Sequence, residues 1–298
     1  MTVLVSWFDQ SIAGSPRTWI VADSRLTNAT RLGPNVITDN CAKVFPLRCD
    51  FSRPGTENKQ RHMPFASLSL GFAFCGAALP ATQTYAAAAC LLSQISTQHS
   101  GVKENGRPWL GLPLQFEQIT RYVTKLFAGY YRDVGKCRPT AASASLILAG
   151  PCPKTGEQCL AEITPHETSG AISVRYNVHR FSEVSKDFVM VYGSGACLAK
   201  ATLETLRGAL SSDTGWGNEP FKAVTSAIAM NKDGTVGGTP QVGISDSQGF
   251  NAQPLMLRTP RGLRLELLGF DLIDNPLSEE CTTARSGLIT TITRLGSV

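Results

Sequence analysis

Thr2 stands directly behind Met1 and leads the short apolar run Val3-Leu4-Val5, which reads as a strand. Removal of Met1 alone would leave a threonine with both a hydroxyl and a free α-amine. Those are the nucleophile and base that N-terminal threonine chemistry requires. A second run, Trp19-Ile20-Val21-Ala22, also reads as a strand and ends in Asp23-Ser24-Arg25. The turn-forming residues Ala13-Gly14-Ser15-Pro16 lie between the two runs, so a hairpin would bring Asp23 beside Thr2. Taken alone, the same residues also fit a plain strand start and a turn with a local ion pair.

Other nucleophile and metal chemistries find little support. The four histidines, His62, His99, His166 and His179, form no motif with a cysteine or a carboxylate. None of the nine cysteines falls in a C-x-x-C or zinc spacing. Cys75, Cys90 and Cys197 sit inside apolar runs, where cysteine behaves as a small hydrophobe. Reduced thiols in a cytoplasmic protein, with no metal or organic cofactor, are the expectation. The 298 residues, 42% hydrophobic and 17% charged, suit a soluble globular chain with a sizeable core. No run of 18 apolar residues predicts a transmembrane helix, and the first 20 residues lack the pattern of a signal peptide. The net charge of +5 is spread along the chain, and its densest cluster, Lys59-Gln60-Arg61-His62, lies in a polar loop. That is a solvated surface rather than a nucleic-acid footprint.

The elements that must position Thr2 and Asp23 follow in a regular order. Residues 42–47 read as a strand starting near Lys43, and residues 49–64 as an exposed loop. Leu68, Leu70, Phe72 and Phe74 alternate in a strand that ends in Cys75-Gly76-Ala77-Ala78. Helices are predicted over 81–96 and 116–131, the second from Phe116, Ile119, Val123 and Phe127 at helical spacing. Strands over 144–150, 158–164, 171–178 and 187–192 lead to Gly193-Ser194-Gly195. Two more helices (196–210, 219–231) and two late strands (237–245, 263–270) complete the pattern. Strands, two helices, strands, two helices and strands predict an α+β fold, with two sheets face to face and a helix pair outside each. Gly193-x-Gly195 does not continue to the third glycine of a dinucleotide loop, because Leu198 stands there, and no Walker lysine-serine pair occurs.

Order and motifs together resemble the proteasome β-type family, including the bacterial HslV peptidase and the Anbu group. The resemblance rests on Thr2 with its strand, Trp19 to Arg25, Lys43-Val44-Phe45-Pro46, Phe74 to Ala78, and Val191-Tyr192-Gly193-Ser194-Gly195. Asn231 to Gly238 matches in part, with Val236 where the family has serine. The resemblance implies a four-layer αββα sandwich of the N-terminal-nucleophile hydrolase type over residues 1–250, with residues 251–298 a C-terminal strand and extension of the same domain. It implies threonine peptidase activity on peptides or unfolded protein within a homo-oligomeric ring; whether an unfoldase partner serves that ring stays open. Thr2 would be the nucleophile, with its α-amine as base. Asp23 would orient Lys43, Ser194 and Asp233 would support the amine, Gly76 would donate to the oxyanion, and Arg25 and Gly195 would support the site. A catalytically inactive structural subunit and an amidase of small molecules are the alternative readings.

Overall fold

The computed structural model of the chain describes residues 2–11, 16–30, 33–53, 63–96, 114–137, 143–168, 171–211, 214–231, 234–259 and 262–272. The first half holds β1 (Leu4–Asp9), β2 (Arg17–Asp23), β3 (Leu26–Thr30), β4 (Gly33–Thr38), β5 (Val44–Arg53), β6 (Met63–Gly76), α1 (Ala78–Leu92), β7 (Ile95–Ser96) and α2 (Phe116–Cys137). The second half holds β8 (Ala144–Pro151), β9 (Gln158–Thr168), β10 (Ala171–Arg180), β11 (Val189–Tyr192), α3 (Ala196–Ala209), α4 (Glu219–Met230) and β12 (Pro240–Asp246). It closes with β13 (Gly249–Gln253), β14 (Leu255–Thr259), β15 (Gly262–Leu267) and β16 (Phe270–Asp271). Among the described residues this is a mixed α+β fold of largely antiparallel sheets and four α-helices.

One sheet runs β11-β1-β2-β12-β13 and a second β10-β9-β8-β6-β5-β7; β14-β15-β16 and β3-β4 form small sheets of their own. Among the described residues only the short β7 joins its neighbour, β5, in parallel. Alternation along β1 explains why its six residues are all buried. Val3, Val5 and Trp7 pack with Ala199 and Leu203 of α3 and Ala223, Val224 and Ala227 of α4. Leu4 and Phe8 face the other way, toward Val44, Ala73, Ile147 and Leu160 of the second sheet. The far face of that second sheet buries Phe72, Leu146 and Leu148 against Phe116, Ile119, Val123 and Phe127 of α2 and Ala81 and Ala88 of α1. Both sheets are therefore covered on both faces, which is why β1, β2 and β8 carry apolar residues on each side.

Two expectations need correction. The exposed loop expected over 49–64 is partly strand: β5 continues to Arg53 and β6 begins at Met63. Cys49 and Phe51 are buried on one face while Arg48 is exposed on the other, so the period of two persists through polar sequence. The first helix ends at Leu92 rather than 96, because Ile95 leaves it to pair with Phe51.

Beside the Gly193-Ser194-Gly195 turn, a polar cluster links the two large sheets. The Tyr192 hydroxyl of β11 donates to Glu162 of β9. The Asn177 amide nitrogen donates to the same carboxylate at 2.7 Å, and His179 Nε2 stands 3.8 Å from it. The neighbouring His179, with the hydrogen bonds from Asn177 and Tyr192, holds the Glu162 carboxyl at about 2, below its ordinary 4.5 and against the effect of burial. A depressed folded value stabilises the protein above about 4.5, and that contribution is lost as pH falls toward about 2. Glu162→Gln is expected to lower the melting temperature at pH 7, with the gap to the parent closing between pH 4.5 and 2. Thermal scans across that window check it; a gap that stays constant would contradict the assignment.

Candidate active site

Antiparallel pairing of β1 with β2 sets Leu4 opposite Ala22, and beyond that pair Asp23 N–H donates to the Val3 carbonyl at 3.1 Å. The Asp23 side chain turns back and accepts from the Val3 N–H at 3.0 Å. Thr2 and Asp23 thus meet at the open end of the hairpin; residues 12–15 of its closed end lie outside the described residues. Lys43 enters from the second sheet, where its carbonyl accepts from Phe74 N–H at 3.2 Å. Its backbone is fixed from the other side by Gln241, whose Oε1 accepts Lys43 N–H at 2.8 Å while Nε2 donates to the Cys41 carbonyl at 2.7 Å.

The Lys43 side chain is 1% exposed. Its Nζ donates to Thr2 Oγ1 at 2.8 Å, Asp23 Oδ1 at 2.9 Å and the Arg25 carbonyl at 2.6 Å. Three acceptors match the three protons of an ammonium. This arrangement suits Lys43 to donate to the Thr2 hydroxyl. Donation to an oxygen favours its deprotonated form over the neutral hydroxyl.

Asp23 is fully buried, and all four of its lone-pair directions are used. Lys43 and Val3 N–H serve one oxygen, while Gly237 N–H at 3.2 Å and Arg25 N–H at 3.3 Å serve the other. Burial pushes its carboxyl above the ordinary carboxylate range, against the pull of the Lys43 ammonium and the Gly237 and Val3 amides. A carboxylate without these partners would not stay charged at this depth.

The Gly193-Ser194-Gly195 turn closes on Thr2 from the other flank. Gly195 N–H donates to the Thr2 carbonyl at 3.2 Å. Gly193 has φ +94°, and a Cβ there would stand 1.9 Å from that carbonyl oxygen, so only glycine fits. Ser194 Oγ reaches Thr235 Oγ1 at 3.4 Å. A hydroxyl therefore does stand in this loop, one residue before Val236, whose buried side chain packs with Val3 and Val5. Gly76 ends β6 two residues past Phe74, with φ +92° and the Ser143 carbonyl 2.4 Å from where its Cβ would be. Asp233 lies outside the described residues.

Lys43 thus joins Thr2 to Asp23, with Arg25 hydrogen-bonded to Lys43 and Asp23, Gly195 to Thr2, and Ser194 in the same turn as Gly195. Sequence reasoning missed Asp39, Gln241 and Thr235. Gln241 is 1% exposed in a strand, a buried amide that must find partners, but that burial shows only in the folded chain. Among the described residues no group of three or more His, Cys, Asp or Glu could hold a metal ion, and no helix is long and apolar enough to cross a membrane.

No family model matches the chain, and no curated protein matches it. Among solved structures, the chain is similar to Anbu (ancestral beta-subunit) from Yersinia bercovieri. The TM-score is 0.46 and the identity 13%, over 84% of this chain and 86% of that one.

Proposed function

We propose that this chain is a proteasome-like threonine hydrolase with an αββα sandwich of the N-terminal-nucleophile type, acting on peptide bonds of peptides or unfolded protein. The observation that carries the reading is the buried Lys43 Nζ, which donates to Thr2 Oγ1 while paired with Asp23. Cleavage before Thr2 frees its α-amine, a base with an ordinary pKa of about 7.7–8.0. The amine takes the Oγ1 proton as Oγ1 bonds to the substrate carbonyl carbon, and the Gly76 N–H donates to the oxyanion. The tetrahedral adduct collapses with loss of the C–N bond, and the leaving amine departs with the proton held by the α-amine. Water, deprotonated by the same amine, then hydrolyses the Thr2 ester. Ser194 and Asp233 support the amine, and Arg25 and Gly195 hold the site's backbone. The enzyme works as a homo-oligomeric ring in the cytoplasm, without a metal or organic cofactor.

The test is a peptidyl vinyl sulfone, which traps an activated hydroxyl as an ether. One adduct per chain, mapped to Thr2, is the expected result. A chain with Thr2 at its free N-terminus that assembles yet takes no adduct would be the inactive structural subunit instead.

A further inference from the structure

The small sheet β3-β4 leaves the site directly after Arg25 and returns directly before Asp39. At its root those two residues close on each other. Arg25 Nε donates to Asp39 Oδ1 at 2.6 Å and Nη2 donates to Oδ2 at 3.1 Å, a two-point fork. The third arm, Nη1, donates to the Gly234 carbonyl at 3.2 Å. The guanidinium lies flat on Gly237, where an added Cβ would meet its Cζ at 2.3 Å. Gly237 N–H is a partner of Asp23, and the Arg25 carbonyl is the shortest acceptor of Lys43. The fork therefore fixes two backbone groups that address the Asp23–Lys43 pair. One is the acceptor on Lys43 and the other the donor on Asp23.

We propose that Asp39 is a positioning residue of the proposed hydrolase: its fork with Arg25 latches the hairpin root and the 234–237 loop, and so sets Lys43 against Thr2. The Asp39 carboxylate touches neither Thr2 nor Lys43 in any hydrogen bond of the site and acts through Arg25, while the Asp39 carbonyl accepts separately from Ser24 Oγ at 2.5 Å and is untouched by the substitutions below. The Arg25 and Asp39 side chains are 22% and 45% exposed, so dissolved salt reaches the latch while the Lys43–Asp23 pair, at 1% and 0%, is shielded. That contrast gives the latch its own signature. The inference rests on the hydrolase reading for its kinetic consequence and on geometry alone for its structural one.

The test compares the parent, Asp39→Asn and Asp39→Glu in the assembled protein, by peptide turnover and by hydrogen exchange of the 234–238 segment. Asp39→Asn is expected to lower kcat by about 10- to 100-fold with KM nearly unchanged, as misplacement of a reacting group does. Asp39→Glu should recover most of the loss. Raising salt from 0.1 to 1 M should slow the parent severalfold and leave Asp39→Asn unaffected. Exchange at 234–238 should quicken about tenfold in Asp39→Asn while the central strands stay protected. Unchanged exchange, or turnover that ignores both the substitution and salt, would overturn the latch. Quickened exchange in a chain that hydrolyses nothing would sink the hydrolase reading and leave the latch standing.

Discussion

Thr2→Ala is expected to assemble normally and to lose hydrolysis, with kcat lower by on the order of 10⁴-fold or more, the scale of losing a covalent nucleophile. The reason is specific to the site. Lys43 Nζ donates to Thr2 Oγ1 at 2.8 Å and already has its other protons on Asp23 and the Arg25 carbonyl. No second hydroxyl among these contacts can take the place of Oγ1. Removing it strands one Lys43 proton, at a cost of about 1–3 kcal/mol in stability. The variant should melt a few degrees lower, and Thr2→Ser should keep measurable turnover because the hydroxyl stays. Peptide hydrolysis by the three proteins, with melting curves alongside, checks this. Parent-level turnover in Thr2→Ala would remove Thr2 from the chemistry.

The second large effect is expected at Lys43. Lys43→Met keeps the volume but removes the ammonium that faces the fully buried Asp23. Breaking a buried pair from one side leaves Asp23 either charged without its counter-ion or forced to take up a proton, typically at about 3–5 kcal/mol. Turnover should vanish as well, since nothing then donates to Thr2 Oγ1 from that side. Adding Asp23→Asn to Lys43→Met should recover part of the lost stability, because the amide carries no charge and still accepts from the Val3 or Gly237 N–H. It should recover none of the activity. Urea unfolding of the two single variants and the double variant measures the coupling. A double variant no more stable than Lys43→Met would mean that the Asp23 charge is not what the lysine compensates.

What could be read from the sequence follows from how far apart the partners lie along the chain. The approach of Asp23 to Thr2 was legible because it is a hairpin property: two apolar runs, turn residues between them, and a register that ends at Val3 and Asp23. The order of strands and helices was legible because apolar period changes from two to 3.6 at each junction. Lys43 was reached only through a family resemblance, since nothing in its local sequence says that a lysine at a strand start will be 1% exposed. Gln241 and Thr235 were invisible for a related reason. Their partners, Lys43 and Ser194, lie 198 and 41 positions away and meet them only after the sheets have stacked. Asp39 was passed over because the β3-β4 hairpin that returns it to Arg25 carries little apolar signal. The loop expected over 49–64 was misread because Arg48 and Asp50 masked the buried Cys49 and Phe51 between them.

The most direct test is the N-terminal residue of the protein that actually hydrolyses peptide, read by intact mass and N-terminal sequencing of the vinyl sulfone-reactive fraction. Threonine catalysis predicts that every reactive chain begins at Thr2, with its α-amine free beside Oγ1. Full turnover by a fraction that keeps Met1 attached would contradict it, because the only base the mechanism offers would then be an amide nitrogen.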